Sequence, residues 1–227
     1  MSNSDGFIEE VTEELRRDQM MAKLKRYGWI GVLLVLAIVG GAAFTEYRNG
    51  QERAQAEALG DAVLAALDNE DPAQSAAAIE VLDAPDPTAG AVLSLLAASQ
   101  QLSAEDRASA VENLNAVALN GDVPEVYRQI ASFKALTLQA DTLDAAARKQ
   151  GFEALEGAGG SLRLLAREQL ALIAIQEQDP TAAIEIYQSI LSDAEVTPDL
   201  QQRALQVIVA LGGEPDLTSA PTNINNG

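Results

Sequence analysis

Neither cysteine nor histidine occurs anywhere in the 227 residues. The first absence excludes a disulfide scaffold and thiolate metal sites. The second removes His-dependent triads, imidazole general bases and most transition-metal centres. Carboxylate-only catalysis is the chemistry left open. Adjacent acids such as Glu105 and Asp106 nevertheless have a simpler use at a helix start, facing the positive end of the dipole. Aromatics make up only 4% of the chain, whereas abundant alanine suits close-packed helices better than strands or a ligand-binding barrel. Bases are scarce as well: 15 Lys and Arg stand against 34 Asp and Glu, a net charge of −19. Such a surface repels phosphate backbones, which excludes nucleic acid as a partner, and it repels anionic headgroups too. The acid excess has two readings: solubility of an exported domain, or an acidic docking face for a basic partner. Nothing in the composition asks for a cofactor, a metal or a small-molecule substrate.

One uncharged run breaks this polar background. From Tyr27 to Thr45, in "KLKRYGWIGVLLVLAIVGGAAFTEYRNG", 19 residues carry no charge, between Arg26 and Glu46. At a rise of about 1.5 Å per residue this spans roughly 28 Å, close to the hydrocarbon thickness of a bilayer. It has no polar face, as a soluble-core helix would. Gly41-Ala42-Ala43 offers the small residues of a cleavage site. The leader, however, carries Asp5, Glu9, Glu10, Glu13, Glu14 and Asp18, unlike a short, positive signal region. The expectation is an uncleaved transmembrane helix over residues 27–46. Arg16, Arg17, Lys23, Lys25 and Arg26 flank its start, against Arg48 and Arg53 beyond its end. That bias puts residues 1–26, a helical amphipathic leader, in the cytoplasm and the remainder outside. Within the span, Ala37, Gly41 and Thr45 fall at i, i+4 and i+8, a ridge of small side chains on which another membrane helix could pack.

After the span, short helical segments follow one another with regular punctuation. Asp71-Pro72, Asp86-Pro87 and Asp179-Pro180 pair a helix cap with a proline suited to the first turn. Ser103 reads as the cap of the segment containing Glu105 and Asp106, and Gly157–Gly160 breaks the chain. Nine helices are expected beyond the membrane, with no sustained strand alternation. The predicted fold class is therefore all-α, one transmembrane helix followed by helical hairpins over residues 47–213, with a disordered tail at 214–227.

The hairpins carry a faint repeat. Leu170 and Ala171 precede Ala183, and Tyr187 follows it by four. Small residues at facing positions let two helices approach, and the aromatic fills the space above, which is the spacing logic of a tetratricopeptide (TPR) hairpin. Related pairs stand at Ala110/Leu114, Ala78/Leu82 and, looser, Ala147/Phe152. The marker alanines 78, 110, 147 and 183 are 32, 37 and 36 residues apart. A TPR-like solenoid binds peptides or partner helices along its superhelix. Arg128, Lys134, Arg148, Lys149, Arg163, Arg167 and Arg203 either line such a groove or are ordinary solvated positions.

The leader, span and flanks, "FIEEVTEELRRDQMMAKLKRYGWIGVLLVLAIVGGAAFTEYRNG", and the hairpins up to Gly213 together resemble the YfgM-like family. These are bacterial inner-membrane proteins, ancillary to the SecYEG translocon, with a periplasmic TPR-like domain. The resemblance implies a non-enzymatic scaffold in the inner membrane, its C-terminal domain periplasmic, with the translocon and chaperones such as PpiD as partners. The alternative is an accessory subunit of another envelope complex.

Overall fold

The structure, a computed structural model, describes the backbone of residues 4–216 and the side chains of residues 34, 36 and 38–216. Among them there are nine helices and no strand: α1 (Ser4–Leu67), α2 (Pro72–Glu80), α3 (Pro87–Ser103), α4 (Arg107–Leu119), α5 (Glu125–Leu138), α6 (Ala145–Ala158), α7 (Arg163–Gln176), α8 (Pro180–Leu191) and α9 (Pro198–Ala210). The chain divides into two compact units, Met1–Ala58 and Leu59–Gly227.

The expected leader, span and first outer helix are not separate elements. They belong to a single helix, α1. No proline interrupts the chain before Pro72, and Asn49-Gly50 alone does not end a helix so well furnished with helix formers. Leu34, Leu36, Ile38, Val39 and Phe44 are all exposed. Thr45 turns its hydroxyl back onto the helix, donating to Gly41 O at 3.1 Å and Ala42 O at 2.9 Å. Among the described residues no helix is long and apolar enough to cross a membrane. The side chains of residues 27–33, 35 and 37 of the expected span lie outside those residues.

In the second unit, each helix from α2 to α9 packs on its neighbours in the chain, and α3 also touches α5. What starts these helices is mostly an aspartate. Asp71, Asp86, Asp106, Asp144 and Asp179 each accept a backbone N–H of the first turn on their carboxylate, and Thr197 does so with its hydroxyl. The cap of α4 is thus Asp106. Ser103, expected there, is the last residue of α3. Ser109 holds the Asp106 carboxyl below its ordinary range, first through its hydroxyl and then through its N–H.

These caps measure out the repeat. Four residues after Asp71, Asp106, Asp144 and Asp179 come Ser75, Ala110, Arg148 and Ala183, and eight after come Ile79, Leu114, Phe152 and Tyr187. All eight are buried. The four aspartates are 35, 38 and 35 residues apart, nearer to a regular hairpin period than the alanine spacing suggested. A cap fixes the helix start, the helical period then turns the fourth and eighth residues onto one face, and that face meets the preceding helix.

Two hairpin turns share one construction. Glu105 (φ 63°) and Gln178 (φ 62°) adopt left-handed backbone. The N–H of Asp106 bonds Gln101 O at 2.8 Å, and that of Asp179 bonds Ala174 O at 2.9 Å. Each is a six-to-one closure of the outgoing helix, and the residue that completes it is also the cap of the next helix. The chain turns in the fewest residues that satisfy both ends. After α9, Gly212 (φ 82°) serves the same purpose, with Gly213 N bonded to Ile208 O at 2.9 Å.

Of the expected tail, residues 214–216 are described. Gln188 of α8 donates to Glu214 O at 2.9 Å and accepts from Asp216 N at 3.1 Å, so residues 214–216 are held against the hairpins. Residues 217–227 lie outside the described residues.

Candidate interaction surface

Along α3, Leu95, Ala98, Ser99 and Leu102 recur at helical spacing. Along α5, Phe133, Lys134, Thr137 and Leu138 do the same. These two stripes face one cavity of about 220 Å³, with Leu114 of α4 completing its lining. Of its lining, Leu102 stands 37% exposed. Such a recess admits an apolar side chain, and the Ser99 and Thr137 hydroxyls and the Lys134 ammonium at its edge supply polar contacts. The geometry suits capture of an apolar anchor.

The basic residues divide sharply. Arg163 of α7 clasps Asp193 with both terminal nitrogens, at 2.7 and 2.9 Å, and reaches Glu195 at 2.8 Å. The Arg163 bond holds the Asp193 carboxyl down to about 2, and Asp193 followed by Glu195 raises the guanidinium in turn. Arg167 donates to Glu156 at 2.6 Å and lies 3.7 Å from Asp193. Arg203 of α9 grips both oxygens of buried Glu168 on α7 at 2.9 Å, which raises its pKa. These three arginines tie α6, α7, the α8–α9 connection and α9 together, and their fork geometry is committed to carboxylates within the chain. Arg107 pairs with Asp141 at 3.3 Å, both largely exposed. Arg148 is buried and bonds Gln176. Of the bases considered for a groove, Lys134 is the one that lines the α3–α5 cavity.

Of the residues expected to pack the hairpins, Ala110, Leu114, Phe152, Ala171, Ala183 and Tyr187 are buried. Leu170 is half-buried against the cluster of Phe152 and Ile173, where Phe133 meets the Phe152 ring edge-on at a centroid distance of 5.7 Å. Ala78 and Leu82 are half-buried at the edge of the Ile79 cluster, and the places equivalent to Ala110 and Leu114 belong to Ser75 and Ile79. Ala147 is likewise half-buried, its expected place taken by Arg148. Counting from the capping aspartate would have found both; searching for alanine missed them, because small size is not what defines the register. Of the small-residue ridge in α1, Ala37 lies outside the described side chains, Gly41 has open space where a Cβ would be, and Thr45 is bonded to its own helix. Glu105 and Asp106 are a turn residue and a cap.

Capped antiparallel hairpins in series, with a grooved face between alternate helices, define a helical-repeat protein that works by contact. The profile of the tetratricopeptide repeat-like domain matches residues 24–158, more than half of the sequence, and the chain belongs to that family. Folds of this kind are typically non-enzymatic and serve as protein–protein interaction scaffolds. Neither a curated protein nor a solved structure matches the chain.

Proposed function

We propose that this protein is a membrane-tethered scaffold of the bacterial inner membrane, ancillary to the SecYEG translocon and to periplasmic chaperones such as PpiD. Residues 27–46 cross the bilayer, residues 1–26 are cytoplasmic, and the hairpins work on the periplasmic side. One observation carries the reading: a helix uncharged over residues 27–45, whose described apolar side chains Leu34, Leu36, Ile38, Val39 and Phe44 are exposed. Exposed apolar groups in that density call for an apolar surrounding. Thr45 supports it as well, since its hydroxyl finds acceptors inside the helix and needs no water. The five flanking bases against two set the orientation. Tethering would concentrate the α3–α5 groove where exported chains emerge, and binding there would use an apolar anchor.

The test is fractionation combined with topology. The intact chain should stay with membranes through alkaline carbonate, and a reporter joined after Asp216 should be active only outside the cytoplasm. Photo-crosslinking from position 41 should then give adducts with a translocon subunit. Extraction by carbonate would end the anchoring proposal. Adducts confined to another envelope complex would keep the tether and replace the partner.

A further inference from the structure

We propose that the groove between α2 and α4 is a second docking site, one that seats an arginine or lysine side chain of a basic partner segment. It encloses about 540 Å³ and is separate from the α3–α5 recess. Leu82, Leu93 and Ala97 provide an apolar floor, and carboxylates stand on both walls, Glu80 from α2 and Glu112 from α4.

Glu80 is held in one orientation. Buried Gln101 donates its Nε2 to Glu80 Oε1 at 2.7 Å, and Asn113 donates its Nδ2 to the same oxygen at 2.8 Å. Asn113 also donates to Gln101 Oε1 at 3.0 Å, locking the two amides to each other. Both donors converge on Oε1, which leaves Oε2 with no protein hydrogen bond among the described residues. A fixed carboxylate with a free oxygen accepts a cationic donor at little further loss of freedom.

Charge gives the occupant. Glu156, Glu168, Asp193 and Glu195 all have arginine partners. Among the described residues Glu80 and Glu112 form no ion pair, as expected of most acids in a chain of net charge −19, and what sets them apart is that both line one groove. A long basic side chain meets every feature at once: its methylenes cover the apolar floor while its head reaches Glu80 Oε2 and Glu112. Lys134 gives the other recess the opposite sign at its edge, so the two grooves select different segments. The proposal does not depend on the membrane reading.

The probe is a fluorescein-labelled 16-residue Leu/Lys peptide, titrated into the full-length chain in detergent micelles at about 50 mM salt, where screening is weak. Glu80→Gln with Glu112→Gln should weaken binding about tenfold. Glu177→Gln with Glu185→Gln, the same change of charge at a distance, should leave it within about twofold. Glu112→Gln alone disturbs no hydrogen bond of the fold, so a loss of about threefold there separates docking from misfolding. Equal losses from both double variants, or none from the Glu80/Glu112 pair, would mean that the peptide answers only to net charge, and the proposal would be overturned.

Discussion

Buried Arg148 donates its Nη2 to Oε1 of exposed Gln176 at 2.6 Å, and among the described residues it has no carboxylate partner. The Arg148 Nε is buried and has no partner at all. A buried cation compensated by one amide oxygen carries a desolvation cost that its contacts do not recover. Arg148→Met keeps the packed stem and removes the charge. It should stabilise the chain by about 1–3 kcal/mol, read as a higher midpoint in urea with unchanged slope. A lower midpoint would mean that the Gln176 bond outweighs the desolvation.

Phe152 is fully buried, and it meets Phe133 edge-on where α5 packs on α6. Phe152→Ala should cost about 3–5 kcal/mol through lost burial and the remaining cavity. Gly151 stands at the same junction, where a Cβ would come within 2.6 Å of a Leu136 methyl. Gly151→Val should cost about 1–3 kcal/mol by overpacking. Because an array is held together by nearest-neighbour contacts, either change should split one calorimetric transition into two. A single shifted transition would argue against a weak joint at that point.

The left-handed turn residues give a gain. Glu105→Gly and Gln178→Gly remove the Cβ from positions at φ 63° and 62°. Each should stabilise by about 0.5–1 kcal/mol, the relieved strain being partly offset by a looser unfolded chain. Gly212→Ala, at φ 82°, should act in the opposite direction by a similar amount. Equilibrium denaturation of the three variants measures all of this, and the signs matter more than the sizes.

Tyr187 sets an alkaline limit. Burial, then the nearby Glu168 charge, pushes its phenol from an ordinary 10 up to about 12, with Arg203 opposing. Folding therefore favours the neutral phenol. The stability this supplies is whole below pH 10, where folded and unfolded chains are both protonated, and it is lost as pH rises toward 12. Tyrosinate absorbance should rise together with unfolding in that window. Tyr187→Phe should flatten this part of the pH profile, and an unchanged profile would remove Tyr187 as its cause.

The all-α hairpin architecture was readable from the sequence because Asp-Pro pairs and apolar spacing act locally, within a turn or two. Asp71-Pro72 and Asp179-Pro180 announce helix starts that the fold then uses. The α3–α4 boundary was misplaced by three residues because Ser103 looks like a cap, whereas the six-to-one closure at Asp106 depends on left-handed backbone at Glu105, which few glutamates adopt. The grooves were not legible at all. Leu95 and Phe133 line one recess from two helices, and Glu80 meets Asn113 across 33 residues, and neither arrangement leaves a periodic trace. The fate of Arg163, Arg167 and Arg203 was hidden for the same reason: their carboxylates lie on another helix or in the α8–α9 connection.

Four equivalent sockets hold serine, alanine, arginine and alanine in turn, at Ser75, Ala110, Arg148 and Ala183. A uniform array could slide by one hairpin, or trade hairpins with a neighbouring copy, and bury itself equally well. Here such a slip would thrust a guanidinium into a space shaped for a methyl group and part it from Gln176. The odd cation, a burden in the correct arrangement, makes every wrong arrangement worse.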